Sequence, residues 1–289
     1  MKGTEWTDEV CVTKKACIKD FEFFLAKEMK GHKESHDGIF GLARNHPYYL
    51  AKEEGLNRGP SYMMALENAG LISENSFSFY LAKFGEDSHL DFGAPRKDRM
   101  RNHEELQWID LNQDFFWSSN CKGFAINQTS NSWSWGSIDG AQETVQDNAV
   151  YSMFDTGASA IIFPSDYFTQ FLGELYGQME GNEYALAEGY VVTKCYADFP
   201  PVHFLFGDRW VSVYPDEYVV DISENQDRSD CVLLFTEGDQ AFFVMGLPLY
   251  MDYYTIHDDK NNRIGFAPHA TSDKAPLEKG EQPNRAFAS

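Results

Sequence analysis

The sequence predicts an all-β protein, and three observations carry that expectation. Short runs rich in Phe, Tyr, Val and Ile recur along almost the whole chain, turns of Gly, Pro, Asn and Asp separate them, and helical spacing is confined to two stretches. Strands spread over the full length, rather than alternating with helices, argue against a doubly wound α/β arrangement. In chain order the strand candidates are 21–26 (FEFFLA), 77–82 (FSFYLA), 149–154 (AVYSMF), 160–163 (AIIF), 189–195 (GYVVTKC), 202–206 (VHFLF), 210–215 (WVSVYP), 218–222 (YVVDI), 231–235 (CVLLF) and 241–246 (AFFVMG). The helices are expected at 61–70, where good helix formers close on Gly70, and at 165–179, opened by Ser165 or Asp166 as cap. The polar, proline-bearing tail, residues 269–289, has no periodicity and is expected to be disordered.

A chain of 289 residues can bury a substantial core without staples. Its formal charge of −21 repels nucleic acid and anionic membrane, so neither is expected as a partner. No apolar run approaches transmembrane length, and the first residues carry no signal-peptide core. The five cysteines, Cys11, Cys17, Cys121, Cys195 and Cys231, and the scattered histidines form no metal-binding spacing, so neither metal nor cofactor is expected. Cys11 and Cys17 could pair across a short hairpin or bond elsewhere; Cys121 reads as a buried thiol. Trp108, Trp117, Trp133 and Trp135 read as packing residues, and 97–101 (KDRMR) as a solvated crossover. Asn127-Gln128-Thr129 is an N-glycosylation sequon, which matters only on the secretory route.

One stretch carries chemistry. In 152–164, SMFDTGASAIIFP, Asp155 sits where an apolar strand becomes a Thr-Gly turn, with a second apolar run beyond. Alone, Asp-Thr-Gly is an ordinary turn. Here it stands among other motifs in a fixed order: HDGIFGLA (36–43), GPSYMMALENAGLISENSFSFYL (59–81), SHLDFGAP (88–95), DFPPVHFLFGDRWVSVYPDEYVV (198–220) and AFFVMGLPLYMDYYTIHDDKNNRIGFA (241–267). Together they resemble the pepsin family of aspartic proteases from about Asp8 to Pro268.

The resemblance implies a two-lobed fold: residues 1–96 as the remainder of a first lobe, 97–268 as a complete second lobe, and 269–289 as a tail. It implies an aspartic endopeptidase in which Asp155 is catalytic, supported by Thr156, Gly157, Ala158 and Ser159. Gly246 would thread beside the Asp155 loop, and Gly41 beside the corresponding loop of the first lobe. Cys195 and Cys231 sit where the family's second lobe often has a disulfide. The substrate would be a polypeptide, the protein a monomer, and its location outside the cell or in an acidic vacuole or lysosome.

Ala158 departs from the commoner Thr or Ser. The first Asp-Thr-Gly and the flap tyrosine have no counterpart in the residues before Asp37, which itself reads as a structural turn residue. The expectation is therefore an N-terminally truncated protease, inactive by itself because two carboxylates must share the water. The rival reading is a non-catalytic relative that binds a peptide or partner. A homodimer joining two copies of Asp155 is disfavoured because residues 1–96 would crowd its axis.

Overall fold

Short apolar runs between turns resolve into three sheets in the computed structural model, which describes residues 2–14, 16–28, 37–44, 59–83, 87–113, 115–135, 145–146, 149–179, 183–187, 189–195, 198–225, 227–281, 283 and 285–286. The first sheet is a hairpin of Lys2–Thr13 and Ala16–Glu28, closed by a Cys11–Cys17 disulfide between directly paired residues. Its strands are longer than the run FEFFLA announces. Most of their residues are exposed, so the Lys2–Thr13 half has no buried face to give it an apolar pattern.

The second sheet has five strands in the order His89–Phe92, Ser76–Tyr80, Tyr253–Asp258, Arg263–Pro268, Gln107–Asp110. Two precede residue 96 and three follow it, so this sheet spans the division expected at residues 96 and 97.

The largest sheet runs along the path Tyr184–Ala187, Tyr190–Thr193, Cys231–Gly238, Ile161–Pro164, Phe243–Met245, Ala149–Phe154, Ser118–Ile126, Val202–Phe206, Arg209–Val213, Glu278–Lys279. Val202–Phe206 is buried at every position, which explains why its apolar residues do not alternate with exposed ones; its one polar member, His203, is bonded to the Ser212 hydroxyl at 2.8 Å. Phe124, Phe163, Phe204 and Phe206 lie fully buried at the centre, each such side chain contributing about 1.5–3 kcal/mol.

Both helices form. Tyr62–Asn68 is capped by Ser61, whose hydroxyl accepts from the Met64 amide, and it ends on Gly70 at φ +68°. There the Gly70 and Leu71 amides return to the Glu67 and Leu66 carbonyls, a glycine-dependent stop. Ser165–Gly177 buries Phe168, Phe171, Leu172 and Leu175 against the large sheet. Its cap is Pro164, not Ser165 or Asp166: the Ser165 hydroxyl donates instead to the Gly238 carbonyl at 3.1 Å.

The tail differs from expectation over residues 269–281. Glu278–Lys279 pairs with Arg209–Trp210, Leu277 is buried, and Lys274 is 4% exposed. The Lys274 ammonium donates to Glu217 at 2.7 Å and to the Met251 carbonyl at 2.8 Å, and lies 4.1 Å from the centre of the Tyr253 ring. Polar composition suggested disorder because the partner that makes this lysine buriable lies far away in sequence.

Candidate active site

The Asp155 loop is made by a strand threaded between two others. Ala149–Phe154 leads in and Ile161–Pro164 leads out, while Phe243–Met245 runs between them, parallel to the first and antiparallel to the second. Gly246 therefore arrives directly behind the loop. A Cβ there would lie 2.1 Å from the Ala160 carbonyl oxygen and 2.5 Å from that of Ala158, so only glycine fits. The Asp155 amide donates to the Met245 carbonyl at 3.1 Å, the Leu247 amide to the Ala158 carbonyl at 2.9 Å, and the Ala158 amide to the Asp155 carbonyl at 3.2 Å.

The Asp155 carboxylate is half-buried, and its Oδ1 accepts the Gly157 amide at 2.8 Å. A Cβ on Gly157 would press to 3.1 Å from that oxygen. Thr156 and Ser159 are exposed and Ala158 is half-buried. Among the described hydrogen bonds none uses the Thr156 or Ser159 hydroxyl.

Asp155, Thr156 and Gly41 line one cavity of about 240 Å3, together with Leu42, Phe77, Phe116, Trp117, Met153 and His257. The segment bearing Gly41 has no regular structure and is held by its neighbours. The Leu42 carbonyl accepts the Trp117 indole N–H at 2.9 Å. The buried Arg44 guanidinium binds Asp259 at 2.6 Å and Asn262 at 2.7 Å, and it also donates to the Gln113 carbonyl. A Cβ on Gly41 would meet nothing within 4 Å among the described residues. Asp37, at the start of the segment, is exposed.

Matching a family model described as eukaryotic aspartyl protease, residues 1–269 account for nearly all of the chain. The chain belongs to the eukaryotic aspartyl protease family. Relatives of this aspartyl protease chain include gastricsin of Mus musculus, 26% identical over 87% of the chain, and gastricsin of Cavia porcellus, 25% identical over 81%. Pregnancy-associated glycoprotein 2 of Bos taurus is 26% identical over 80%. The aspartyl protease chain spans 59%, 54% and 54% of those three proteins, so it corresponds to little more than half their length.

Two residues of the site escape sequence reasoning. His257 is fully buried, stacked on Phe77 at 4.3 Å and set edge-on to Trp117 at 4.8 Å, and its Nδ1 has no hydrogen-bond partner among the described residues. Burial pushes its pKa down to about 3, so the ring is neutral. A lone histidine in the apolar run YYTIHD gives no signal of where its ring points. Tyr250 is also buried, its hydroxyl without a partner among the described residues and its pKa raised first by burial and then by the Asp155 charge.

The remaining cysteines lie outside the site. Cys195–Cys231 is a disulfide tying the residue just after Tyr190–Thr193 to the start of Cys231–Gly238, and buried Cys121 keeps its thiol, pushed up to about 12 by burial. The two clusters of cysteine with acid, around Cys11–Cys17 and Cys195–Cys231, have their sulfurs tied in these bridges and offer no thiolate. No helix among the described residues is long and apolar enough to cross a membrane.

Proposed function

We propose that Asp155 is one of two catalytic carboxylates of an aspartic endopeptidase acting on polypeptides with apolar side chains beside the cut bond. The observation that carries this reading is the threaded loop: Gly246 packs against the loop carbonyls while the Asp155 carboxylate faces a cavity that also contains Gly41. The Gly157 and Ala158 amides hold the loop shape around it, and Thr156 and Ser159 complete the turn.

The chemistry follows from proton counting. One carboxylate takes a proton from a water while a second donates one to the scissile carbonyl, with no covalent enzyme intermediate. Two such groups placed close together cannot both ionise readily, which keeps one proton on the pair. Among the described residues Asp155 is the only carboxylate lining the cavity. With that one carboxylate the chain by itself does not turn peptide over, and hydrolysis requires a second aspartate presented across the cavity from the Gly41 side.

The lobes in this reading are residues 1–96 and 97–268, and the protein is a monomer. Two disulfides fit an oxidising route, so the location is extracellular or an acidic vacuole or lysosome.

The test is digestion of a denatured protein at acid pH with a pepstatin-type inhibitor control. The 289-residue chain should give no inhibitor-sensitive cleavage. A longer form that supplies a second aspartate should cleave, and Asp155→Asn in that form should reduce turnover to background. Inhibitor-sensitive cleavage by the longer form that survives Asp155→Asn overturns the assignment.

A further inference from the structure

The sequon Asn127-Gln128-Thr129 is the only Asn-X-Ser/Thr triplet in the sequence. It lies in the turn that joins Ser118–Ile126 to Ser132–Ser134. Asn127 is exposed and takes φ +69°, a left-handed conformation that asparagine tolerates better than most residues. Its backbone is held on both sides: the amide donates to the Pro201 carbonyl at 2.8 Å, and the carbonyl accepts from His203 Nε2 at 3.4 Å. The turn is further closed by the Asn131 amide donating to the Gln128 carbonyl at 2.8 Å. Among the described hydrogen bonds none uses the Asn127 side chain, so substituting its amide nitrogen removes no contact.

The two disulfides supply an independent observation, because stable bridges form on the oxidising route where N-glycosylation also takes place. We propose that Asn127 carries an N-linked oligosaccharide. Asn127 Nδ2 loses one proton and forms an N–C bond to the anomeric carbon of an oligosaccharide carried on a lipid pyrophosphate. The anomeric C–O bond breaks and the lipid pyrophosphate leaves with its electron pair. Gln128 satisfies the requirement that the middle residue not be proline, and Thr129 supplies the hydroxyl the sequon needs.

The fold also fixes where the sugar stands. Phe154 bonds to the Trp117 carbonyl, so Asp155 lies level with the start of the strand Ser118–Ile126, and Asn127 lies at its far end. At about 3.3 Å per residue, the run from Trp117 to Asn127 places the glycan about 30 Å from the cavity. It therefore leaves the peptide cleft open.

The test uses the whole chain translated with microsomal membranes behind a heterologous leader, with and without peptide N-glycosidase. The wild type should lose one glycan step on digestion and yield an Asn127 peptide converted to aspartate. Asn127→Gln and Thr129→Ala should each migrate at the digested position without treatment, whereas Thr129→Ser should restore the step. Translocation is read separately by protection from added protease, so a chain that fails to fold is still scored. An unmodified Asn127 in the protected wild-type chain, or a glycan step that persists in Asn127→Gln, overturns the proposal.

Discussion

The chain contains the same small element twice, Ile39-Phe40-Gly41 and Val244-Met245-Gly246, and the two copies have opposite surroundings. Val244 and Met245 are buried, and Gly246 is wedged against two carbonyls of the Asp155 loop. Ile39 and Phe40 are 74% and 46% exposed, and Gly41 faces open space among the described residues. Buried ionisable groups follow the same division. Beneath Tyr253, Glu217 is paired with Lys274; in the cavity beside Gly41, His257 Nδ1 has no partner among the described residues. An apolar pair followed by glycine thus acquires meaning only from the loop it threads, and Asp155 is braced from one side.

The contrast can be broken most forcefully through His257. Its folded pKa is lowered to about 3 against an ordinary 6.5, so the unfolded chain binds its proton first. Stability is full above pH 6.5 and is lost as pH falls through the window from 6.5 to about 3, by roughly 5 kcal/mol. Denaturant unfolding measured across that window should show this loss, and His257→Phe, which suits the stack on Phe77, should flatten it.

Glu217 should act with the opposite sign. Burial raises its folded pKa to about 7, against the pull of Lys274, so the folded chain binds the proton first. The fold gains stability as pH drops from 7 to 4.5. Glu217→Gln should abolish that gain when stability is followed over the same range; a gain that persists in the variant would place its origin elsewhere.

The two glycines sharpen the comparison at the small end. Gly246→Ala forces backbone to move and should cost about 3 kcal/mol, read as a lower denaturation midpoint. Gly41→Ala in this chain should change stability by less than about 0.5 kcal/mol, since the new methyl group meets nothing. Equal losses at the two positions would show that Gly41 is also packed against a loop.

Much of this was legible in sequence because the central strands of the large sheet are largely buried, Val202–Phe206 at every position. Continuous runs such as VHFLF and AVYSMF then coincide with strands to the residue, and Gly70 marks a helix end by its own conformational freedom. The Asp155 turn was legible for a similar reason: apolar strands on either side leave a short polar interruption. What stayed hidden depends on distant partners. Strand Lys2–Thr13 carries charges on an exposed hairpin, Lys274 is buried only because Glu217 meets it, and His257 faces the cavity only because Tyr253–Asp258 pairs with Ser76–Tyr80.

That last pairing has a consequence for biosynthesis. Ser76 aligns with Asp258, about 180 residues later, so its strand emerges from the ribosome long before its neighbour exists. At about 5–20 residues per second the wait is about 10 to 40 s, during which a nascent apolar edge, FSFY, is available to any other strand. A holdase that shields this segment during translation should raise the yield of native protein more than one that acts after release.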